Sequence, residues 1–208
     1  MDEQLKQQLL QGCKSLELDL TELQINQLLT YVQLLDKWNK VYNLTSVRDP
    51  QEMISRHILD SLAVLPYLSG TSMLDVGTGA GLPGIPVAIA NPSMAVTLLD
   101  SNSKKTRFLQ QAKSELGLSN ITVVHARVEQ AKLPKFATVT ARAFSTIDVI
   151  IDLAGRHCDD AGSLVLMKGV YPEEELAANI DGFSLQDVVS LDVPNCPGKR
   201  HLVRLIKN

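Results

Sequence analysis

The sequence predicts an α/β protein: a doubly wound, mostly parallel sheet preceded by an N-terminal helical extension. Three observations carry this. Helical periodicity dominates the first third of the chain, short apolar runs alternating with helical segments fill the rest, and a glycine-rich turn, "DVGTGAGLPGIP" at 75–86, follows the first of those runs. Strands and helices alternating at this spacing wind a parallel sheet with helices on both faces. The predicted division is an extension over 1–66 and a sheet domain over 67–208.

In the extension, Leu28, Val32, Leu35 and Tyr42 recur at spacings of three, four or seven, and Thr21 with Gln24 forms a capping box, which predicts a helix over 21–43. Asp49-Pro50-Gln51-Glu52 supplies an N-cap, a first-turn proline and a carboxylate ahead of Met53, Ile54, Ile58, Leu62 and Leu65, so a second helix should end near Pro66. Beyond Gly70, "MLDV" (73–76), "AVTLLD" (95–100), "NITVVH" (120–125), "ATVTAR" (137–142) and "GSLVLMK" (162–168) have the length and β-branched content of buried strands. Residues 84–91, 103–116, 145–157 and 172–180 read as the intervening helices, with Gly117 as a C-terminal cap. "FSLQDVVSL" and "RHLVRLIK" are joined by a Pro- and Gly-containing loop with no room for a crossover helix, and should pair antiparallel at one end of the sheet.

A chain of 208 residues, 45% apolar and 21% charged, is long enough to bury a core without disulfides or metals. Its acidic start "MDEQLKQQLLQG" lacks a signal-peptide core and no stretch approaches the roughly 20 apolar residues of a membrane span, so a soluble, cytoplasmic protein is expected. Cys13, Cys158 and Cys196 are isolated, without C-x-x-C pairs or nearby His, which predicts reduced thiols and no metal site. The net charge of −3 excludes a uniformly basic nucleic-acid binder and leaves room for a local basic face.

The glycine turn fits two overlapping patterns. Gly79-Ala80-Gly81-Leu82-Pro83-Gly84 matches the dinucleotide G-x-G-x-x-G, whereas Asp75 with Gly77, Gly79 and Gly81 matches the D-x-G-x-G-x-G turn of methyl-donor-binding sheets. Gly77 already occupies the place directly after the strand, and Asp75 would repel a pyrophosphate. S-adenosylmethionine has no phosphate and carries cationic ammonium and sulfonium groups, which carboxylates favour. Asp100 closes the second strand, where an acid bonds the ribose hydroxyls of either NAD or S-adenosylmethionine, and Glu129 follows the third, within reach of an adenine edge. Spacing alone thus reaches an adenosyl cofactor, with a methyl donor favoured.

Seven stretches in order, "WNKVYNLTSVRDP" (38–50), "RHILDS" (56–61), "DVGTGAGLPGIP", "ARVE" (126–129), "ARAF" (141–144), "MKG" (167–169) and "RHLV" (200–203), give the chain a full-length resemblance to the RsmG (GidB) family. Members of that family are bacterial methyltransferases that modify N7 of a guanine in 16S ribosomal RNA. The resemblance implies a Rossmann-like class I S-adenosylmethionine-dependent methyltransferase fold and a cofactor pocket with Gly77, Leu82, Val128, Glu129 and Arg142, to which spacing adds Gly79 and Asp100. Guanine N7 presents a lone pair and no proton, so no general base is expected. Arg142 and Lys168 end the fourth and fifth predicted strands and are assigned to substrate positioning, Arg142 touching the cofactor as well. Asn43, Arg48, Arg56, Arg127, Lys199 and Arg200, with His57 and His201, are candidates for gripping RNA, whereas "SKKTR" (103–107) reads as a solvated helix face. The expected partner is 16S ribosomal RNA or the small ribosomal subunit, acted on by a monomer. Two other classes compete: an NAD(P)-dependent reductase, which lacks an evident Tyr-x-x-x-Lys, and a non-catalytic RNA-binding protein, which leaves the intact turn and Asp100 without a purpose.

Overall fold

The computed structural model describes residues 3–176 and 180–208. Its first elements are α1 (Glu3–Ser15) and α2 (Glu22–Tyr42). Both halves of the Thr21–Gln24 capping box form, and Asn43 ends α2 in the left-handed conformation. The helix α1 has no counterpart among the predicted helices. It buries Leu5, Leu9 and Cys13, four residues apart, and Gly12 lets it lie close to its neighbour: a Cβ there would fall 2.3 Å from Leu59 Cδ1.

The second predicted helix begins as expected, with the Asp49 side chain accepting from Gln51 N–H and Pro50 in the first turn, but it is not one α-helix. It runs as α3 (Pro50–Met53), a π-helical segment (Ile54–Leu59) and α4 (Asp60–Leu62), followed by a 3-10 turn (Leu65–Tyr67). A change of hydrogen-bond register inside a helix leaves no periodicity signal, and π segments of this kind are frequent at functional sites.

The sheet contains β1 (Ser72–Val76), β2 (Ala95–Asp100), β3 (Ile121–His125), β4 (Phe136–Arg142), β5 (Cys158–Lys168), β6 (Phe183–Ser190) and β7 (His201–Lys207), in the order β3-β2-β1-β4-β5-β7-β6. The first five are parallel, and β7 is antiparallel to both β5 and β6, as predicted for the terminal pair. Between strands lie α5 (Gly84–Ala90), α6 (Ser103–Leu116), capped by Gly117 at φ 66°, α7 (Ile147–Ala154) and α8 (Glu173–Leu176). The helix predicted over 145–157 therefore gives way to a 3-10 turn at Gly155–His157, and part of the one predicted over 172–180 lies outside the described residues.

Side-chain alternation along the strands sorts the core into two layers. Met73, Val96, Leu98, Val165 and Met167 pack with α1, α2, α5 and α6, so the N-terminal helices and one face of the sheet share a single core. Leu74, Val76, Val139, Ala141, Leu164 and Leu166 face the other way, against Ile147, Ile150 and Ala154 of α7. Among the described residues no helix is long and apolar enough to cross a membrane.

Candidate functional site

β1 lies between β2 and β4, so the strand order reverses at its C-terminal end, and a ligand crevice of a doubly wound sheet opens at that point. The turn after β1 fills it. Gly77, Gly79 and Gly81 hold φ values of 64°, 62° and 93°, which β-carbon-bearing residues adopt at a cost. Tyr31, fully buried in α2, donates its hydroxyl to Ala80 O at 2.7 Å and ties the turn to the extension.

Asp75 does not face the ligand side as the sequence reading supposed. Period-two alternation places it on the same face as Met73, beneath α5, where its Oδ2 accepts from Thr78 Oγ1 at 2.6 Å and from Gly84 N–H at 2.8 Å. It is fully buried, its Oδ1 has no hydrogen-bond partner among the described residues, and burial pushes its pKa up to about 7. Its first task is to staple the turn to the start of α5.

Asp100, at the end of β2, accepts from Gly79 N–H at 2.9 Å through Oδ2 and from Asn102 N–H at 2.8 Å through Oδ1. A carboxylate offers about four acceptor directions, so capacity for hydroxyl donors remains. Lys105 Nζ reaches back from α6 to within 3.8 Å of the same Oδ2, so this part of "SKKTR" belongs to the site and is not merely a solvated helix face.

Two cavities meet here. One of about 380 Å³ is lined by Gly77, Asp100, Val128, Glu129, Arg127 and Phe144, among others. The other, of about 500 Å³, receives Gly79 and Leu82 from the turn, Arg142 and Lys168 from the strand ends, and Arg56 and Arg200 from further along the rim. Gly77, Lys105 and Ala143 line both. The structure therefore gathers every predicted cofactor residue around one junction. Asn43, Arg48 and Lys199 line neither cavity. Asn43 Oδ1 accepts from Arg48 Nη2 at 2.7 Å, and Arg48 Nη1 donates to Asn39 O, which braces the loop after α2.

Arg142 and Lys168 reach the larger cavity from opposite faces of the sheet. Arg142 pairs in register with Met167, so Lys168 is one residue beyond and alternates to the other side. Arg142 Nη1 donates to Arg56 O at 3.2 Å and Asp60 Oδ2 at 3.1 Å, beside the extension. Lys168 Nζ donates to Ser145 O at 2.9 Å and Glu175 Oε2 at 2.7 Å, beside α7 and α8. Sequence could not pair these cations with their acids, which lie 82 and 7 positions away.

The extension supplies a wall of the larger cavity through Leu44, Thr45, Ser46, Val47, Arg56, His57 and Asp60. His57 Nδ1 lies 2.9 Å from Arg56 O, an acceptor only, so that nitrogen carries the proton and Nε2 accepts from Thr45 Oγ1 at 2.8 Å. Burial, reinforced by the Arg142 charge, pushes its pKa down to about 4, leaving a neutral imidazole at pH 7. Asp60, Lys105 and Phe144 were not among the residues selected from sequence. Asp60 carried a signal nonetheless, as an acid within the otherwise apolar-faced "RHILDS".

With this geometry in hand, comparison with known proteins is direct. The family model for rRNA small subunit methyltransferase G matches residues 24–203. Proteins called ribosomal RNA small subunit methyltransferase G are 49% identical over 206 residues in Nitrosospira multiformis (95% of each chain), 50% over 204 in Pseudomonas syringae pv. tomato (96% and 95%), and 51% over 203 in Ectopseudomonas mendocina (96% and 94%). Among solved structures, a SAM-dependent methyltransferase from Aquifex aeolicus aligns with a TM-score of 0.61 at 19% identity, covering 86% of this chain and 98% of the other. TYW2 from M. jannaschii, in complex with AdoMet, aligns at 0.57 and 18%, covering 78% of each. These two likenesses give the fold, that of the class I SAM-dependent methyltransferases. The near-complete matches at about 50% identity give the family: the chain belongs to the small-subunit ribosomal RNA methyltransferases G.

Proposed function

We propose that this chain transfers the methyl group of S-adenosylmethionine to N7 of a specific guanine in 16S ribosomal RNA. The observation that carries the proposal is the junction of the two cavities at the glycine turn, one lined by Asp100 and Glu129 and the other by five cationic side chains, Arg56, Lys105, Arg142, Lys168 and Arg200, against a single carboxylate among the described residues. An acidic chain thus presents a basic recess to a polyanion.

The residues fit the cofactor. Gly79 is open on its outer side, since a Cβ there would meet nothing nearer than 3.9 Å. Asp100 would hold the ribose hydroxyls, Val128 and Glu129 the adenine edge, and Gly77, Gly79 and Leu82 the remainder, with Arg142 at the boundary. When bound, the cofactor supplies an electrophilic methyl on a cationic sulfur.

The chain's own residues have to orient the guanine, and orientation supplies roughly 7–11 kcal/mol in well-aligned systems. Arg142 and Lys168 would do this as donors to the base or its phosphate. No side chain has to remove a proton, because N7 carries none. Arg56, Arg127 and Arg200 would grip the RNA backbone near the site and Asn43, Arg48 and Lys199 further out, with the extension over 1–66 acting as a substrate-facing wall of the sheet domain over 67–208.

Two measurements test the proposal. Calorimetric titration should give saturable binding of S-adenosylmethionine and none of NADH. Mass mapping of 16S ribosomal RNA from cells with and without the gene should show one guanine whose N7 methyl disappears; identical maps refute the substrate.

A further inference from the structure

Asp60 is the single carboxylate among the described residues lining the larger cavity, in which five cationic side chains also appear. Its side chain is 4% exposed, and it is divided between two arginines: Oδ2 accepts from Arg142 Nη1 at 3.1 Å and Oδ1 from Arg200 Nε at 3.2 Å. Three distant parts of the chain converge on it. Asp60 begins α4, directly after the π-helical segment, Arg142 ends β4, and Arg200 immediately precedes β7. Arg142 is seated further by Arg56 O, within that π segment, and Arg200 by Lys199 O at 2.8 Å and Cys196 Sγ at 3.2 Å. Both guanidinium side chains remain about one-fifth exposed, so each is held without being sealed off.

Attraction for RNA does not explain this carboxylate. A negative charge in a recess that receives a polyanion weakens binding by Coulomb repulsion, and its removal should tighten it. Two features of the reaction do explain it. Two like-charged guanidiniums sharing one wall repel each other unless a common counter-ion fixes them, and a displacement of about 1 Å in a positioning group can cost 10²-fold in rate. Methyl transfer also moves positive charge from the sulfur onto the purine, inside a cavity already rich in cations, and a fixed carboxylate offsets that charge as it develops.

We infer that Asp60 is a positioning residue for methyl transfer, holding Arg142 and Arg200 in one fixed arrangement at the substrate-facing wall. The inference rests on the RNA methyl-transfer reading above. The test is steady-state kinetics of the full-length protein on small subunits that lack the modification, comparing parent with Asp60→Asn, whose fold is checked by circular dichroism.

The expected result is a fall in kcat of tenfold or more with a KM for the subunit that is unchanged or lower. A merely architectural tie between extension and sheet predicts the opposite split, a raised KM with kcat retained, and that result overturns the inference, as does a kcat within twofold of the parent. A double-mutant cycle with Arg142→Lys adds a second readout: the losses in kcat of the two variants should be clearly less than additive, and full additivity overturns the inference. If Asp60→Asn does not fold, Asp60→Glu, which keeps the charge and displaces both oxygens by a methylene, is carried through the same cycle with the same expected split. A parent protein inactive on the subunit overturns both readings, whereas an active parent with an indifferent Asp60→Asn overturns this one alone.

Discussion

Replacing Asp75 by Asn should make the protein more stable, by an amount that depends on pH. Asp75 is fully buried, and desolvation pushes its pKa from 3.8 up to about 7 against the hydrogen bonds from Thr78 and Gly84 that pull it down. Between those values the folded protein retains a proton that the unfolded chain has released, so the contribution of Asp75 to stability falls as pH rises from about 4 and levels off above about 7. The gap corresponds to about 4 kcal/mol at full ionisation, of which about 3 kcal/mol develops between pH 5 and 8.5. Asn resembles the protonated acid and keeps an acceptor for Thr78 and Gly84. Its stability relative to the parent should therefore rise across that range, to an advantage of a few kcal/mol above pH 8. His57 titrates the other way, its folded pKa of about 4 lying below the usual 6.5, so it adds stability as pH rises from about 4 to 6.5, but it is common to both proteins and cancels in the difference. Urea unfolding followed by circular dichroism at a series of pH values gives the difference directly. A stability difference that does not change with pH, or an Asn variant less stable than the parent at pH 8.5, refutes the assignment of a buried, proton-holding carboxylate.

Three further outcomes are expected. Gly77→Ala places a Cβ 2.3 Å from Phe144 Cδ2 at a φ of 64°, so it should destabilise by about 1–2 kcal/mol and, by displacing Phe144 from the turn, weaken S-adenosylmethionine binding at least tenfold by calorimetry. Tyr31→Phe strands the buried Ala80 carbonyl and should cost about 1–3 kcal/mol in urea unfolding while leaving the helix content unchanged. Glu175→Gln removes the ion-pair partner of Lys168 and the charged acceptor of Ile147 N–H; the KM for the small subunit should fall two- to fivefold because the Lys168 charge is no longer offset by a neighbouring carboxylate, with a modestly lower melting temperature.

Much of the architecture was written in local chemistry. The capping box of Thr21 and Gln24, the Asp49-Pro50 start and Gly117 as a cap all form as read, because each depends on backbone groups within a few residues. The five parallel strands and the terminal antiparallel pair follow from apolar runs and loop lengths. The helix α1 was missed because its apolar positions are few and Gly12 interrupts them; its packing against Leu59 is what accounts for the glycine. The π-helical segment was missed because hydrogen-bond register is decided by packing and has no signature in composition.

The site divides along the same line. The glycine turn, the acid at the end of β2 and the cations at the ends of β4 and β5 were legible in the residues alone, since strand ends and turn glycines are set by short-range patterns. What those residues face depends on the folded chain. Alternation within β1 turned Asp75 inward, a one-residue offset in register put Arg142 and Lys168 on opposite faces, and the docking of the extension brought Asp60 between two arginines 82 and 140 positions away. A charge acquires its role from the groups around it, and in this protein those groups arrive from distant segments through the packing of the core.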